Sequence, residues 1–177
     1  MAEISCVQGN IVDQKTDAIV NAANKQLFGG SGVCGAIFDA AGYDVMTEAC
    51  QKHGHCETGD AVITPGFKLP AKYVIHTVGP VYGDNENDAE LLRSCYWQSL
   101  NLAEEKSLNS IAFPLISTGI YSYPKEEAVR IAVDSIRVFF DDNHASSIEQ
   151  VILCAYNEED AKLISKVLKK YQKSTPW

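Results

Sequence analysis

Six short segments of the chain combine β-branched or aromatic residues with apolar or alternating patterning, and each is bounded by residues that favour turns. The segments are Ile4–Val7, Ala18–Val20, Ala61–Ile63, Tyr73–Val78, Ile111–Phe113 and Val151–Cys154. Runs of this length and composition are typical of buried or half-buried strands. We therefore predict six strands.

Apolar positions recur with helical spacing between the predicted strands. Residues Asp88–Lys106 and Pro124–Phe140 both place apolar side chains at i, i+3, i+4 and i+7, which brings them to one face of a helix. A shorter apolar segment, Val33–Ala41, follows a glycine-rich stretch and is also predicted to be helical. Each of these helices is expected to bury one face.

The last predicted helix has the best-defined limits. Asn157 is a favourable N-cap, residues 158–160 are all acidic, and four lysines lie within Lys166–Lys173. Carboxylates near the start of a helix and cations near its end both interact favourably with the helix dipole. We therefore expect a helix that begins after Asn157 and ends near Lys173.

The alternation of strands and helices predicts the fold class. It indicates an α/β protein, a three-layer α/β/α sandwich with a mixed, largely parallel central sheet. The 177 residues fit one domain, residues 1–177, with a core of its own. In such sheets, ligands bind outside the carboxyl ends of the strands. The residues that follow each strand are therefore the candidates for function.

Composition and charge exclude several classes of partner. Hydrophobic residues make up 46% and charged residues 21% of the chain, as in ordinary globular proteins. The net charge of −8 disfavours binding to a long nucleic acid, because such binding relies on clustered cations. No apolar run approaches the roughly 20 residues of a membrane helix, and the N-terminus lacks a secretion-signal pattern. We expect a cytoplasmic protein without a membrane partner.

The six cysteines are scattered along the chain without CxxC pairs, so we expect reduced thiols. Residues 50–56, CQKHGHC, carry side chains that suit zinc, but no second group of ligands lies nearby in the sequence. We therefore predict a surface loop that ends a helix there, with no metal and no cofactor. His76 and His144 are expected to be structural.

A glycine-rich segment follows the second predicted strand and reads NAANKQLFGGSGVCGAIFDAAG. Within this segment, the backbone amides can approach an anion closely at Gly30, Ser31, Gly32 and Val33. The glycines also match G-x-G-x-x-G, but residues 22–29 separate them from the strand, and Cys50 stands where an acidic residue should follow. A dinucleotide-dependent dehydrogenase is therefore disfavoured, whereas a simple tight connector stays an alternative.

A second candidate loop, PLISTGIYSYP at residues 114–124, follows the predicted strand Ile111–Phe113. Its hydroxyl groups, glycine and helix N-terminus suit an anion, and its candidate binding residues are Ser117, Thr118, Gly119, Ile120 and Tyr121. Two such loops at one end of a sheet suit a diphosphate. Neutral backbone amides can hold this small anion even on an acidic protein.

Four motifs, NAAN, GGSGVCGAIFDAAG, YVIHTVGPVYG and FPLISTGIYSYP, occur in this order along the chain. Together they closely resemble the macrodomain family, specifically its MacroD-type branch of ADP-ribosyl hydrolases and O-acetyl-ADP-ribose deacetylases. The resemblance covers nearly the whole chain. It implies a three-layer α/β/α fold with a cleft for ADP-ribose, and it implies ADP-ribose derivatives and mono-ADP-ribosylated proteins as partners.

The resemblance also implies where parts of ADP-ribose bind. The adenine is expected beside Asn10, Ile11 and Tyr156, and the diphosphate between residues 30–33 and residues 117–121. The family usually carries an aspartate where this chain has Asn10. The amide oxygen of Asn10 can still accept a hydrogen bond from the adenine amino group, so we expect a weaker adenine preference.

The distal ribose is expected beside Asn24 and Cys34, which are the catalytic candidates. The amide of Asn24 can bond sugar hydroxyls, although an asparagine can instead only shape a turn. We expect Asn21 to be structural and to bond the neighbouring loop backbone. The hydrolases usually carry aspartate and histidine where this chain has Cys34 and Phe38. A thiol is a poor base at neutral pH, so we expect a phosphate oxygen of the substrate to assist the attacking water.

Two other functions stay open on the sequence alone. A module that binds ADP-ribose without cleaving it is favoured by the missing aspartate. An unrelated nucleotide or phosphoester enzyme is the remaining alternative.

Overall fold

Residues 2–174, which the computed structural model describes, contain a single six-stranded sheet. Its strands are β1 (Glu3–Gln8), β2 (Ala18–Ala22), β3 (Ala61–Pro65), β4 (Tyr73–Thr77), β5 (Ser110–Phe113) and β6 (Gln150–Ala155). All six predicted strands are present, with small differences at their ends. Met1 and residues 175–177 of the predicted domain lie outside the described residues.

The strand order across the sheet is β1-β6-β5-β2-β4-β3. Every neighbouring pair is parallel except β3 and β4, which are antiparallel. The prediction of a mixed, largely parallel sheet is therefore confirmed. Strand β2 lies in the interior of the sheet between β5 and β4, so the residues that follow it emerge near the middle of one sheet edge.

Five α-helices connect or follow the described strands: α1 (Gly32–Ala41), α2 (Tyr43–His53), α3 (Asp88–Glu105), α4 (Lys125–Asp142) and α5 (Glu158–Ser174). A short 3₁₀ turn spans Ile11–Asp13. The limits of α2 could not be read from the sequence, because this helix buries only Met46 and Cys50. None of the helices in the described part of the chain is both long and apolar enough to cross a membrane.

The helices cover both faces of the sheet and complete three layers. Helices α1 and α2 pack on one face, where Phe38 is buried, and α3, α4 and α5 pack on the other, where Tyr96 is buried. Successive strand residues point to opposite faces, so Ile19 contributes to the first core and Val20 to the second. Burial on both faces explains why the strands read as nearly continuous apolar runs.

All six cysteines are free thiols, five of them buried and Cys6 half-buried. Burial raises the pKa of Cys50, Cys56 and Cys154 to about 11 and that of Cys95 to about 12. These thiols are therefore protonated at neutral pH and pack as small apolar side chains.

The start of α5 is held by the predicted cap. The Asn157 side-chain oxygen accepts a hydrogen bond from the Asp160 backbone amide at 2.8 Å. The Asp160 carboxylate in turn pairs with the Lys125 ammonium at 2.9 Å, which ties α5 to the start of α4. The cap thus fixes the helix end nearest to the loops that follow β5 and β6.

We predict that Asn157→Ala lowers the free energy of unfolding by about 1 kcal/mol, because one helix N–H group loses its side-chain acceptor. Asn87 precedes α3 but makes no side-chain cap bond, so Asn87→Ala is the matched control and should change stability by less than about 0.5 kcal/mol. Urea denaturation measures both values. Equal losses in the two variants would contradict the capping role.

Candidate functional site

The loops after β1, β2, β5 and β6 surround one cleft with a volume of about 580 Å³. This size is within the range of small-molecule sites. Every site residue predicted from the sequence lines it: Asn10, Ile11, Asn24, Gly30, Ser31, Gly32, Val33, Cys34, Ser117, Thr118, Gly119, Ile120, Tyr121 and Tyr156. The cleft lies at the carboxyl ends of parallel strands, where the sheet topology places ligands.

The cleft also has lining residues that sequence reasoning missed: Gly9, Ala22, Ala23, Ala36, Pro114, Leu115, Cys154 and Asp160. Most of them supply backbone or small side chains. Asp160 differs because it carries a carboxylate: the residue is only 7% exposed, and its carboxylate is paired with Lys125. The sequence shows Asp160 as an acidic residue in the first turn of the helix after Tyr156. That position predicts a favourable interaction with the helix dipole, but it does not indicate that the residue lines the cleft.

The glycine-rich loop presents backbone to the cleft. Gly32 has a φ of +59°, and no atom lies within 4 Å of the position that a Cβ would occupy there, so its backbone is open to an approaching ligand. Gly35 is required for close packing, because a Cβ there would lie 2.3 Å from the Gly30 carbonyl oxygen. Ser31, the N-cap residue of α1, makes no side-chain bond to the first turn. The N-terminus of α1 is therefore free to interact with an anion.

The loop after β5 is a closed turn. Ser117 and Ser122 have φ values of +68° and +61°, and the Tyr123 amide donates to the Ser117 carbonyl at 2.9 Å. The Thr118 hydroxyl donates to the Leu115 carbonyl at 2.9 Å. Its proton is therefore used within the loop, whereas the buried Ser117 hydroxyl has no hydrogen-bond partner among the described residues. The backbone amides and this hydroxyl are the unused donors of the segment.

Backbone groups dominate the electrostatics of the cleft. Among the described residues that line it there is no lysine or arginine. An anion would therefore be held by amide dipoles and by the N-terminus of α1 rather than by cations.

The end of the cleft after β1 and β6 combines an apolar floor with an exposed aromatic ring. Ile11 is buried, whereas Tyr156 is 81% exposed. The Asn10 side-chain oxygen accepts from the Val12 amide at 3.2 Å, which starts the 3₁₀ turn. One lone pair of that oxygen and the amide N–H groups of Asn10 stay available to a ligand.

The opposite end of the cleft contains Asn24. Its side-chain nitrogen donates to the Phe28 carbonyl at 2.9 Å, and its oxygen accepts from the Phe28 amide at 3.0 Å. Asn24 therefore closes a turn as well as lining the cleft. An amide has two N–H groups and two oxygen lone pairs, so one of each is left for a ligand.

Cys34 lies beside this turn, buried in the first turn of α1. Its thiol donates to the same Phe28 carbonyl at 3.4 Å and accepts from the Asn21 side-chain nitrogen at 3.5 Å. Phe38, on the next turn of α1, packs against the rings of Tyr43 and His76 and is not among the lining residues. The α1 side chains that line the cleft are therefore those of Val33, Cys34 and Ala36, and Cys34 is the one among them that bonds the Phe28 carbonyl.

Asn21 and His76 form a buried pair behind the cleft, and the Asn21 amide bonds side chains rather than the loop backbone that we expected as its partner. The side-chain nitrogen of Asn21 lies 3.0 Å from Nδ1 of His76, and Nε2 of His76 lies 3.0 Å from the Thr64 hydroxyl. Burial lowers the pKa of His76 to about 3, with a smaller contribution from His53. The imidazole is therefore neutral at pH 7. Its low pKa makes it too weak a base to deprotonate the Cys34 thiol.

The residues of the 50–56 run do not converge. His53 bonds the Ile63 carbonyl, His55 bonds Glu57, and Cys50 contacts His76 in the interior. In the part of the chain that the structure describes, no group of three or more histidine, cysteine or acidic side chains is placed to hold a metal ion.

Comparison with known proteins identifies the family. The model of the Macro domain family matches residues 20–132. The chain is 50% identical over 166 residues to the Macro domain-containing protein CT2219 of Chlorobaculum tepidum, covering 93% of this chain and 95% of that protein. The chain belongs to the Macro domain family.

Two further similarities extend this assignment. A protein of Xenopus laevis named ADP-ribose glycohydrolase MACROD2 is 46% identical over 171 residues, which are 96% of this chain and 40% of that protein. The structure of an Oceanobacillus iheyensis macrodomain with ADP superposes with a TM-score of 0.90 at 39% identity, covering 96% of this chain and 92% of that one. The predicted macrodomain fold is therefore confirmed.

We predict that the lowered pKa of His76 makes stability fall in acid. The unfolded chain binds a proton at this residue below about pH 6.5, whereas the folded chain does not until about pH 3. This contribution to stability is therefore present above pH 6.5 and is lost as the pH falls, by up to about 1.4 kcal/mol per pH unit.

Urea denaturation at several pH values between 4 and 7 measures this slope. His76→Gln should flatten it, whereas His144→Gln, a change at an exposed loop position, should leave it unchanged. An unaltered slope in His76→Gln would refute the assignment.

Proposed function

We propose that this chain is an ADP-ribose-binding hydrolase that removes ADP-ribose from modified acidic side chains of proteins or deacetylates O-acetyl-ADP-ribose. The observation that carries the proposal is the convergence of all the predicted site residues on one cleft. The name of the MACROD2 relative and the ADP in the related structure support the choice of ligand. We also propose that residues 1–177 act as one domain.

The geometry supports an extended orientation for ADP-ribose. Adenine would lie between the Ile11 floor and the exposed ring of Tyr156, since an aromatic ring can cover a purine face. The diphosphate would lie between residues 30–33 and residues 117–121, at the N-terminus of α1. The distal ribose would then reach Asn24, whose remaining N–H group and lone pair can bond its hydroxyls.

The chemistry that we propose needs no strong general acid. Water attacks C1″ of the distal ribose, a C1″–oxygen bond forms, and the bond from C1″ to the side-chain carboxylate breaks with its electron pair on the carboxylate. A carboxylate with a pKa of about 4 leaves without protonation. The proton from water passes to a phosphate oxygen of the substrate and then to solvent. In O-acetyl-ADP-ribose, the water would attack the acetyl carbonyl carbon, and the bond from that carbon to the ribose oxygen would break. One proton of the water would pass to the departing ribose oxygen and the other to solvent, so that acetate and ADP-ribose are released.

The protein contributes mainly orientation in this scheme. Asn24 and the glycine-rich loop hold the ribose so that C1″ faces the water, and such positioning can be worth several kcal/mol. Cys34 shapes the pocket and bonds the Phe28 carbonyl, so its thiol proton is already engaged. We therefore assign it no role as the base.

A module that binds ADP-ribose without cleaving it is the second candidate, and one observation favours it. Among the described residues that line the cleft, Asp160 supplies the one carboxylate, and this group is paired with Lys125. Asp160 begins the helix after Tyr156, at the end of the cleft opposite to Asn24. The described residues at the distal end of the cleft therefore offer no carboxylate to act as a base. Binding without cleavage is expected if the substrate does not supply that base.

A turnover assay separates the candidates. We expect a small amount of the protein to release ADP-ribose from an excess of mono-ADP-ribosylated protein modified on glutamate. Tight binding of ADP-ribose with no release would favour the binding module. If ADP-ribose neither bound nor raised the melting temperature, another nucleotide-related function would be favoured.

We predict that Gly32→Glu lowers the affinity for ADP-ribose by about 100-fold or more, because bulk and negative charge enter the space of the diphosphate. Gly54→Glu is the matched control, since Gly54 also has a positive φ and open space around it but lies outside the cleft. Calorimetry should show normal binding in the control.

Wild-type protein should bind AMP more weakly than ADP-ribose, and equal affinities would argue against the two-loop diphosphate site.

We predict that Asn24→Ala lowers kcat about 100-fold through loss of orientation and lowers stability by only about 1–2 kcal/mol through loss of two local hydrogen bonds. Asn143 also bonds a backbone carbonyl four residues away but lies outside the cleft. Asn143→Ala therefore controls for the local bond and should keep wild-type kcat. Wild-type turnover in Asn24→Ala would remove Asn24 from the mechanism.

We predict that Cys34→Ala keeps at least about a tenth of the wild-type kcat, because position 34 contributes orientation rather than a reacting group. Cys6→Ala, which changes a thiol outside the cleft, is the control. Complete loss of turnover in Cys34→Ala, together with protection of the wild-type thiol from alkylation by ADP-ribose, would instead make Cys34 a direct catalytic group.

A further inference from the structure

A continuous chain of polar contacts connects the interior of the sheet to the distal end of the cleft. It begins at Thr64 on β3, passes through His76 on β4 and Asn21 on β2, and reaches Cys34 on α1. From Cys34 it continues to the Phe28 carbonyl. Three strands and one helix thus contribute to the position of a single loop carbonyl.

The tautomer of the neutral His76 ring follows from the Asn21 side-chain nitrogen, which lies 3.0 Å from Nδ1. The Asn21 nitrogen can only donate, so Nδ1 of His76 accepts and its Nε2 carries the hydrogen. That hydrogen is directed to the Thr64 hydroxyl at 3.0 Å, and Thr64 donates its own proton to the Pro65 carbonyl at 3.1 Å. One tautomer satisfies each of these contacts, so the Asn21 nitrogen is held in the interior, while the buried Asn21 side-chain oxygen has no hydrogen-bond partner among the described residues.

The fixed amide constrains Cys34. The second N–H group of Asn21 points to the Cys34 sulfur at 3.5 Å, so the sulfur acts as the acceptor there. The thiol hydrogen is then directed to the Phe28 carbonyl at 3.4 Å. The Cys34 side chain is thus held on both sides and cannot rotate without breaking one of these contacts.

The Phe28 carbonyl is shared by Cys34 and Asn24. Asn24 bonds both the carbonyl and the amide of Phe28, so the position of Phe28 determines how Asn24 faces the cleft. The turn between them needs support, because Leu27 has a φ of +60°, a conformation that residues with a Cβ rarely adopt. The Phe28 side chain is exposed and supplies little anchoring of its own.

We propose that Asn21 is a positioning residue for the cleft, which acts through the Cys34 thiol on the Phe28 carbonyl and thereby holds Asn24 toward the distal ribose. The catalytic part of this inference rests on the proposed function. Asn21 itself is fully buried and does not line the cleft, so it touches no substrate. Its effect is on orientation and not on affinity for the diphosphate or adenine.

The test compares Asn21→Ala, Cys34→Ala, the double variant and Cys34→Ser. We expect both single alanine variants to lower kcat about five- to tenfold, with the Kd for ADP-ribose unchanged within about twofold. The double variant should be no slower than the slower single variant, because both changes break one pathway. Cys34→Ser retains a donor for the Phe28 carbonyl and should restore most of the lost kcat.

A second readout does not depend on turnover. Hydrogen exchange of the Phe28 amide, which is bonded to Asn24, should accelerate in both alanine variants and stay slow in Cys34→Ser. If the wild type proved not to be a hydrolase, this measurement would still test the positioning. If Asn21→Ala failed to fold, the comparison of Cys34→Ala with Cys34→Ser would decide the question.

Two results would overturn the proposal. One is an Asn21→Ala variant with a lower melting temperature but with wild-type kcat and Phe28 protection. The other is a double variant in which the two losses of kcat multiply, since that would mean that Asn21 and Cys34 act independently.

Discussion

The register of β2 beside β4 is the constraint on which the rest of the structure depends. It pairs Asn21 with His76 and Ala22 with Thr77. The last residues of β2 therefore occupy fixed positions relative to the neighbouring strand. A shift of one residue would turn Asn21 away from His76 and reverse which side chains face each core. Because both faces of β2 are buried, the register is strongly specified, and the residues after the strand inherit a defined position at the cleft.

This arrangement reconciles an acidic protein with an anionic ligand. The net charge is −8, yet a small anion needs only local donors. Backbone amides and a helix N-terminus supply them over a few ångströms, and the one cleft carboxylate among the described residues is neutralised by Lys125. Long polyanions would meet the whole acidic surface, whereas a diphosphate between two loops meets mainly neutral dipoles.

Much of the fold could be predicted because its signals are local. Strand composition, helical spacing and the Asn157 cap lie within short windows, and alternation along the chain determines the layers. Site residues could be located because they follow strands. Partners distant in sequence could not be read in this way: the contact of Asn21 with Cys34, the sharing of the Phe28 carbonyl and the entry of Asp160 into the cleft all depend on packing between elements. A helix ending within residues 50–56 was expected, but the extent of α2 could not be predicted because few of its positions are buried.

A crystal structure of the protein with ADP-ribose is the most direct measurement of the central claim, that one cleft at the strand ends binds this ligand along its whole length. We expect adenine beside Ile11 and Tyr156, the diphosphate bonded by backbone amides of residues 30–33 and 117–121, and the distal ribose within hydrogen-bond distance of Asn24. A ligand bound elsewhere, or a distal ribose directed into solvent away from Asn24 and Cys34, would contradict the account.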